Sequence, residues 1–131
     1  MAVMQVHVVS ATRELYRGEA SAVYARSTEG EIAVLPGHQP VLLALEISAV
    51  RVAHPDGQTT TWAVHQGFLE YRQETLTVLA DVAERPEEID VERAQAARDR
   101  AQQHLDDPEY EGNARAELRR AEIRLQLAAG S

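Results

Sequence analysis

The sequence predicts a β + α fold, in which an N-terminal antiparallel β-sandwich or flattened barrel is followed by a C-terminal antiparallel two-helix hairpin. Before Arg85-Pro86, short runs rich in Val, Thr and Ile alternate with turn residues, as in β-sheet proteins. After this point Ala, Arg, Glu and Gln recur at helical spacing. A chain of 131 residues suits one compact domain or two very small ones. We therefore expect a sandwich domain over residues 1–85 and a helical domain over residues 86–131.

The first domain contains eight apolar segments that are separated by turn residues. Leu76, Val78 and Ala80 lie on one face of the last of these segments, which indicates a half-buried strand. Because no helical pattern intervenes between the segments, an antiparallel sandwich is the expected architecture. The predicted strands are Met4 to Val9, Ala20 to Arg26, Glu31 to Leu35, Val41 to Leu45, Ser48 to Ala53, Thr59 to His65, Gly67 to Tyr71 and Thr75 to Ala80.

The second domain begins at Pro86-Glu87-Glu88, where a proline and two acidic residues suit the first turn of a helix. Asp106-Asp107-Pro108 ends the first helix, and Asn113 is a suitable cap for the second. The apolar seam is predicted to consist of Ala94, Ala97, Ala101 and Leu105 from the first helix and Ala114, Leu118, Ala121, Leu125 and Ala128 from the second. Alanine buries few methylenes, each worth about 0.8 kcal/mol, so we expect weak and reversible docking of the hairpin.

Composition excludes several classes of function. The chain contains no cysteine and all 13 of its basic residues are arginines, which rules out thiol chemistry, a P-loop lysine and Schiff-base catalysis. A net charge of −8 argues against a nucleic-acid partner. The longest apolar run, Val41 to Leu45, is far shorter than the roughly 20 residues of a membrane-spanning helix. Met1 to Val9 lacks the basic patch and the cleavage site of a secretory signal, so we expect a cytoplasmic location.

We find no catalytic or metal-binding pattern. The five histidines, His7, His38, His54, His65 and His104, are scattered and are not flanked by carboxylates at ligand spacing. No serine lies in a nucleophile-elbow context. We therefore expect neither catalytic residues nor a metal site.

Two segments have a more specific composition. Residues 30–40 contain two prolines and two glycines, which favours a stiff loop between strands, although a plain corner of the sandwich explains them equally well. The segment from Ile89 to Arg100 carries Asp90 among several arginines, and arginines on neighbouring helices can bind a polyphosphate. The alternative is a solvated hairpin with ion pairs such as Asp90 with Arg93 or Glu117 with Arg120, worth about 0.2–0.5 kcal/mol each.

From Met4 to Ala128 the chain resembles the epsilon subunit of bacterial F-type ATP synthase. The resemblance rests on four motifs in the family's order. They are Gly30-Glu31 followed by Leu35-Pro36-Gly37-His38-x-Pro40, then Gly67-Phe68-Leu69-Glu70, then Thr77-Val78-Leu79-Ala80-Asp81, and finally Ile89-Asp90-x-x-Arg93-Ala94. The chain departs from the family pattern at Ala33 and Gln66, where the family often has glycine.

The resemblance implies a non-catalytic rotor subunit of the central stalk. In the family, the sandwich binds the gamma subunit and sits on the polar loops of the c ring, on the cytoplasmic face of the bacterial plasma membrane. It implies that Glu31 meets the c ring and that His38 lies towards gamma. The helical hairpin is expected either to fold against the sandwich or to extend into the alpha/beta catalytic head, where it inhibits ATP hydrolysis. The complex is the only expected link to the membrane.

Some members of the family bind ATP in the folded hairpin, so ATP is an expected regulatory ligand, although no cofactor is obligatory. The resemblance assigns this role to Glu84, Asp90, Arg93, Ala94, Arg100, Arg120 and Arg124. Phosphate recognition is expected from Arg93, Arg100 and Arg124. The residues also allow another reading, an autonomous nucleotide-sensing module that has no larger assembly.

Overall fold

Ten strands precede two helices along the chain, in a computed structural model that describes residues 2–130. The strands are β1 (Met4–Ser10), β2 (Glu14–Ala20), β3 (Ala22–Ser27), β4 (Gly30–Val34), β5 (Val41–Leu45), β6 (Ser48–Ala53), β7 (Thr59–Val64), β8 (Gly67–Arg72), β9 (Thr75–Ala80) and β10 (Ala83–Glu84). A short 3-10 helix, Pro86–Glu88, leads to α1 (Val91–His104) and α2 (Ala114–Ala128). The predicted fold class is confirmed.

The strands form one hydrogen-bonded sheet in the order β10-β7-β6-β3-β5-β8-β9-β1-β2, and β4 pairs with β3. Every second residue along most strands points into a common apolar core, which includes Val6, Val23, Val50, Leu69 and Val78. Because these residues come from distant positions in the sheet order, its two ends must fold over one core. No helix within residues 2–130 has the length and apolar composition that a bilayer crossing requires.

The sandwich differs from the prediction in four respects, the first of which is that the short strand β10 was not predicted. Strand β2 was missed because Glu14–Ala20 is mostly polar or half-buried, and it lies at one end of the sheet order. The predicted strand from Ala20 to Arg26 is interrupted at Ser21, where β2 gives way to β3. Strands β1 and β9 pair in parallel, with Val6 opposite Leu76, so the sheet is not wholly antiparallel. Pairing between strands so far apart in the chain is not set by any local turn.

The two helices pack through alanines, as predicted. Ala94 and Ala101 of α1 and Ala114 and Ala121 of α2 are all buried. The prediction was wrong for Leu105, because α1 ends at His104 and the Leu105 side chain is 39% exposed in the connection.

Helix α2 also docks on the sandwich, through a face that the predicted seam does not include. Ile123 and Leu127 are buried in a second apolar cluster with Ile47 and Ala63. Residues 123 and 127 are one helical turn apart, so they lie on the same side of α2. The hairpin is therefore folded against the sandwich in this structure.

Candidate functional site

Glu84 is the centre of a polar cluster that joins the sandwich to the hairpin. Its Oε1 atom accepts a hydrogen bond from Nε of Arg124 at 2.7 Å and lies 2.9 Å from Nε2 of His65. His65 is buried in the connection between β7 and β8, Glu84 ends β10, and Arg124 belongs to α2. One carboxylate oxygen thus connects three separate elements.

The surroundings of Glu84 favour its charged form. The pKa of Glu84 falls from its ordinary value of 4.5 to about 2, chiefly because His65 hydrogen-bonds to the carboxylate. The hydrogen bond and positive charge of Arg124 lower the pKa further, whereas partial burial opposes them. The carboxylate consequently stays ionised well below neutral pH.

We expect Glu84→Gln to make the stability of the protein less sensitive to acid. A lowered carboxyl pKa contributes stability that is complete above pH 4.5 and is lost as the pH falls towards 2. At pH 7 the substitution should lower the free energy of unfolding by about 1–3 kcal/mol, after allowance for solvent screening. Urea unfolding of both proteins between pH 7 and pH 2 measures the difference, which should shrink over the acidic part of that range.

Glu111→Gln provides the matched control, because Glu111 is exposed in the connection between the helices. This control should cost little at any pH. A difference between wild type and Glu84→Gln that stays constant down to pH 2 would contradict the role assigned to the Glu84 carboxylate.

Asp90 and Ala94 have local structural roles in the hairpin. The Asp90 side chain caps α1 by accepting a hydrogen bond from the backbone N–H of Arg93 at 3.1 Å. Ala94 is buried on α1, so a larger side chain there would displace its neighbours. The two ion pairs suggested for a plain hairpin do not form among residues 2–130. Glu117 instead accepts a 2.6 Å hydrogen bond from the hydroxyl of Tyr110.

The remaining arginines of the predicted ATP set have no acidic partner in the described part of the chain. Arg93 and Arg100 are exposed on α1, and Arg120 is half-buried on α2. None of the three forms an ion pair within residues 2–130. Within the predicted set, hydrogen bonds therefore connect Glu84 with Arg124 and Asp90 with the backbone of Arg93, but they do not connect these two pairs.

Glu31 lies near the start of β4, and His38 follows its end. Glu31 is the second residue of the strand, next to the β3–β4 turn, and its side chain is 82% exposed. Arg26 lies 3.5 Å from the Glu31 carboxylate. His38 follows the other end of the strand, in the segment that leads to β5.

The segment around His38 is held in place by Tyr71. The backbone N–H of Gly37 donates to the Tyr71 hydroxyl at 3.0 Å, and the rings of His38 and Tyr71 meet edge to face. The backbone N–H of His38 also closes a turn onto the carbonyl of Leu35 at 3.0 Å. Because Tyr71 is buried in the core, these contacts anchor the segment to the sandwich.

Sequence reasoning missed two polar residues near the junction of the hairpin and the sandwich. His65 meets Glu84, 19 residues away, and Nε of Arg119 donates to the carbonyl of Ile47 at 3.1 Å, across 72 residues. No local pattern signals such long-range contacts. The i, i+4 spacing of Ile123 and Leu127 was visible in the sequence and could have indicated a second apolar face on α2.

Two family descriptions together match almost the whole chain. Residues 3–86 match "ATP synthase, Delta/Epsilon chain, beta-sandwich domain", and residues 87–129 match "ATP synthase, Delta/Epsilon chain, long alpha-helix domain".

Individual relatives agree with these matches. The chain is 46% identical to the ATP synthase epsilon chain of Streptomyces coelicolor, over 97% of this chain and 96% of the relative. It is 40% identical to the ATP synthase epsilon chain of Bacillus pumilus, over 98% of both chains. Its fold is similar to a chain in the mitochondrial ATP synthase of Euglena gracilis, with a TM-score of 0.83, 21% identity and coverage of 98% of this chain and 82% of that chain.

Proposed function

Because this chain belongs to the ATP synthase delta/epsilon family, we propose that it is a non-catalytic rotor subunit in the central stalk of a bacterial proton-translocating F-type ATP synthase. In this role it couples the gamma subunit to the c ring and limits ATP hydrolysis through its C-terminal hairpin. It lies on the cytoplasmic face of the plasma membrane and meets the membrane only through the assembled complex.

The observation that carries the regulatory part is the small contact between hairpin and sandwich. Its apolar part has two large buried side chains from α2, Ile123 and Leu127, which pack with Ile47 and Ala63, and the partly buried Ile89 packs against them. Burial of such a side chain contributes about 1.5–3 kcal/mol. The core of the sandwich forms a separate cluster, so undocking the hairpin leaves that core intact. A hairpin held in this way can exchange between a folded and an extended state.

The outer face of β5, β8 and β9 is a suitable binding surface for the gamma subunit. Leu42, Phe68 and Leu79 are 65%, 52% and 50% exposed, and a contiguous apolar patch on a protein surface commonly marks an interaction site. Phe68 lies directly opposite Leu79 on β9 and Ala44 on β5, so the exposed side chains adjoin. This apolar face continues along β5 towards the anchored segment that contains His38, and we assign both to the contact with gamma.

Co-purification of the full chain with gamma tests this assignment. Phe68→Ser should weaken the complex at least about tenfold, since large aromatic side chains often dominate binding energy. Leu105→Ser is the control, because Leu105 is exposed outside the apolar face. Failure of the wild-type chain to bind gamma would overturn the rotor proposal and favour an autonomous module. Equal binding by both variants would show that the apolar face does not contact gamma.

ATP is the proposed regulatory ligand of the folded hairpin. Arg93 and Arg100 are exposed and free of ion pairs within residues 2–130, so they are available to a polyphosphate. Arg124 bonds Glu84 through Nε, and its guanidinium has four further N–H donors. A ligand that binds only the folded hairpin would stabilise it and favour active enzyme.

Calorimetric titration of the full chain with ATP tests this site. Arg93→Ala should weaken binding at least about tenfold, because charge-assisted hydrogen bonds to phosphate are strong. Asp90 needs two variants because it also caps α1. Asp90→Ser keeps a capping oxygen and removes the charge, whereas Asp90→Ala removes both. A ligand role for the carboxylate predicts that both variants weaken binding, whereas a capping role alone predicts that Asp90→Ser binds like wild type. The absence of binding at millimolar ATP would show that Arg93 and Asp90 have only a structural role.

Glu31 is proposed to meet the polar loops of the c ring. Its carboxylate is exposed and its nearest cation, Arg26, is shared with Glu46 at 3.5 Å. Glu31→Gln and His38→Ala should reduce coupling between proton flow and ATP synthesis in membranes that contain the complex. Unchanged coupling and assembly in both variants would count against these contacts.

A further inference from the structure

An open groove of about 1000 Å³ separates the docked helix α2 from the uncovered part of the sheet. Its floor includes Tyr24, which lies opposite Ala33 on β4 and Arg51 on β6. Its wall is formed by side chains of α2, among them Arg119 and Gln126. Both parts of the chain therefore contribute to one surface.

Glu31 also lines this groove. Its side chain is 82% exposed while the hairpin is docked, so α2 does not cover it. A partner that reaches Glu31 and enters the groove would meet Arg119 and Gln126 as additional contacts. If the hairpin were extended, the same partner would find only the sandwich side of the groove.

The groove lies on a different flank of α2 from the predicted ATP site. Arg119, Ile123 and Gln126 are spaced by four and three residues, which places them along one stripe of the helix. Arg124 projects towards Glu84 on another flank. None of the seven residues predicted to bind ATP lines the groove. Occupation of the groove and binding of ATP are therefore separate events on the same helix.

Two arginine side chains of the groove, Arg51 and Arg119, remain available to a partner. Arg26 is already near Glu31 and Glu46, each at 3.5 Å. Arg51 and Arg119 form no ion pair within residues 2–130, and the bond from Nε of Arg119 to Ile47 restricts its side chain. The guanidinium N–H groups can donate hydrogen bonds to backbone carbonyl oxygens of polar loops, which are not paired within secondary structure.

We infer that the polar loops of the c ring occupy this groove and contact both Glu31 and α2, so that their binding favours the docked hairpin. The inference rests on the proposed contact between Glu31 and the c ring. Docking of the hairpin and binding of the c ring both involve α2, so the two events are coupled reciprocally. The docked hairpin strengthens attachment to the c ring, and the c ring stabilises the docked hairpin. Attachment to the c ring thereby opposes the inhibitory, extended state.

Binding of the full chain to isolated c rings in nanodiscs tests the inference. Arg119→Gln and Gln126→Ala should each weaken binding roughly fivefold or more, the lower end of common coupling strengths. Within residues 2–130, the side-chain hydrogen bonds from α2 to the sandwich come from Arg119 and Arg124, so substitution of Gln126 removes groove contacts without releasing α2. Arg115→Gln and Gln102→Ala are the matched controls, because both residues are exposed and neither lines the groove. The controls should bind like wild type.

Hydrogen exchange of the α2 amides supplies the reciprocal measurement. Addition of c rings to the wild-type chain should slow this exchange, and it should do so less for Gln126→Ala. If Glu31→Gln weakens binding while both groove variants of α2 bind normally and α2 exchange is unchanged, the inference is overturned and the proposed function stands. If the wild-type chain does not bind c rings at all, the proposed contact fails and the inference fails with it.

Discussion

Replacement of Gly67 with alanine should lower the free energy of unfolding by about 2–4 kcal/mol, since it combines backbone strain with steric overlap. Gly67 has φ = +146°, a conformation that residues with a Cβ atom rarely adopt. A Cβ atom there would overlap the backbone carbonyl of Leu79 on the adjacent strand β9. Gly67 pairs with both Leu45 and Ala80, so neither neighbouring strand can move away without losing register.

Gly57→Ala separates the two causes. Gly57 also has a positive φ, +91°, but nothing lies within 4 Å of the Cβ position. Its substitution should cost only about 1 kcal/mol, which is the strain of the left-handed conformation alone. Urea unfolding followed through Trp62, which is buried in the sandwich core, measures both variants. Equal losses of stability would show that steric overlap with Leu79 does not contribute to the loss of unfolding free energy in Gly67→Ala.

Substitution of Leu127 with alanine should release the hairpin from the sandwich. Leu127 is 3% exposed and is one of two large α2 side chains in the docking cluster. Large-to-small substitutions of buried leucine cost about 2–5 kcal/mol, which is comparable to the whole apolar contribution of this small interface. Hydrogen exchange should accelerate in α2 and remain unchanged in β8 and β9, because the main core is separate.

Leu105→Ala tests the specificity of this effect, because Leu105 is 39% exposed although its spacing suggested a place in the seam. It should leave the exchange of α2 unaltered. Under the proposed regulation, Leu127→Ala in the assembled complex should inhibit ATP hydrolysis more strongly than wild type, since it raises the population of the extended hairpin. Faster α2 exchange without a change in hydrolysis would separate docking from regulation.

The candidate site was only partly predictable. The family resemblance assigned Glu84 and Arg124 to an ATP site, and the structure shows that the two side chains bond each other, with 2.7 Å between Oε1 and Nε. Asp90 was expected to form an ion pair or bind a ligand, yet its carboxylate caps α1. His65 was dismissed as an isolated histidine, because its partner comes from another element of the fold. Local spacing shows which side chains share a helix face, whereas contacts between elements depend on their packing.

The strand order was also beyond the reach of local patterns. β2 pairs with β1 over most of its length, although its sequence lacks the alternation of a half-buried strand. β1 and β9 pair in parallel across more than half of the chain. Propensity describes each segment separately, whereas pairing depends on which edges the collapsed sheet brings together.

The sequence by itself determined the fold class, the change from strands to helices near Arg85, most of the alanine seam and the cap at Asn113, because each follows from short-range periodicity or a local hydrogen bond. Only the tertiary structure decided that α2 docks through Ile123 and Leu127, that Glu84 joins His65 to Arg124, and that Glu31 shares a groove with α2. These contacts join residues far apart in the chain, and the packing of the sheet and helices alone brings them together.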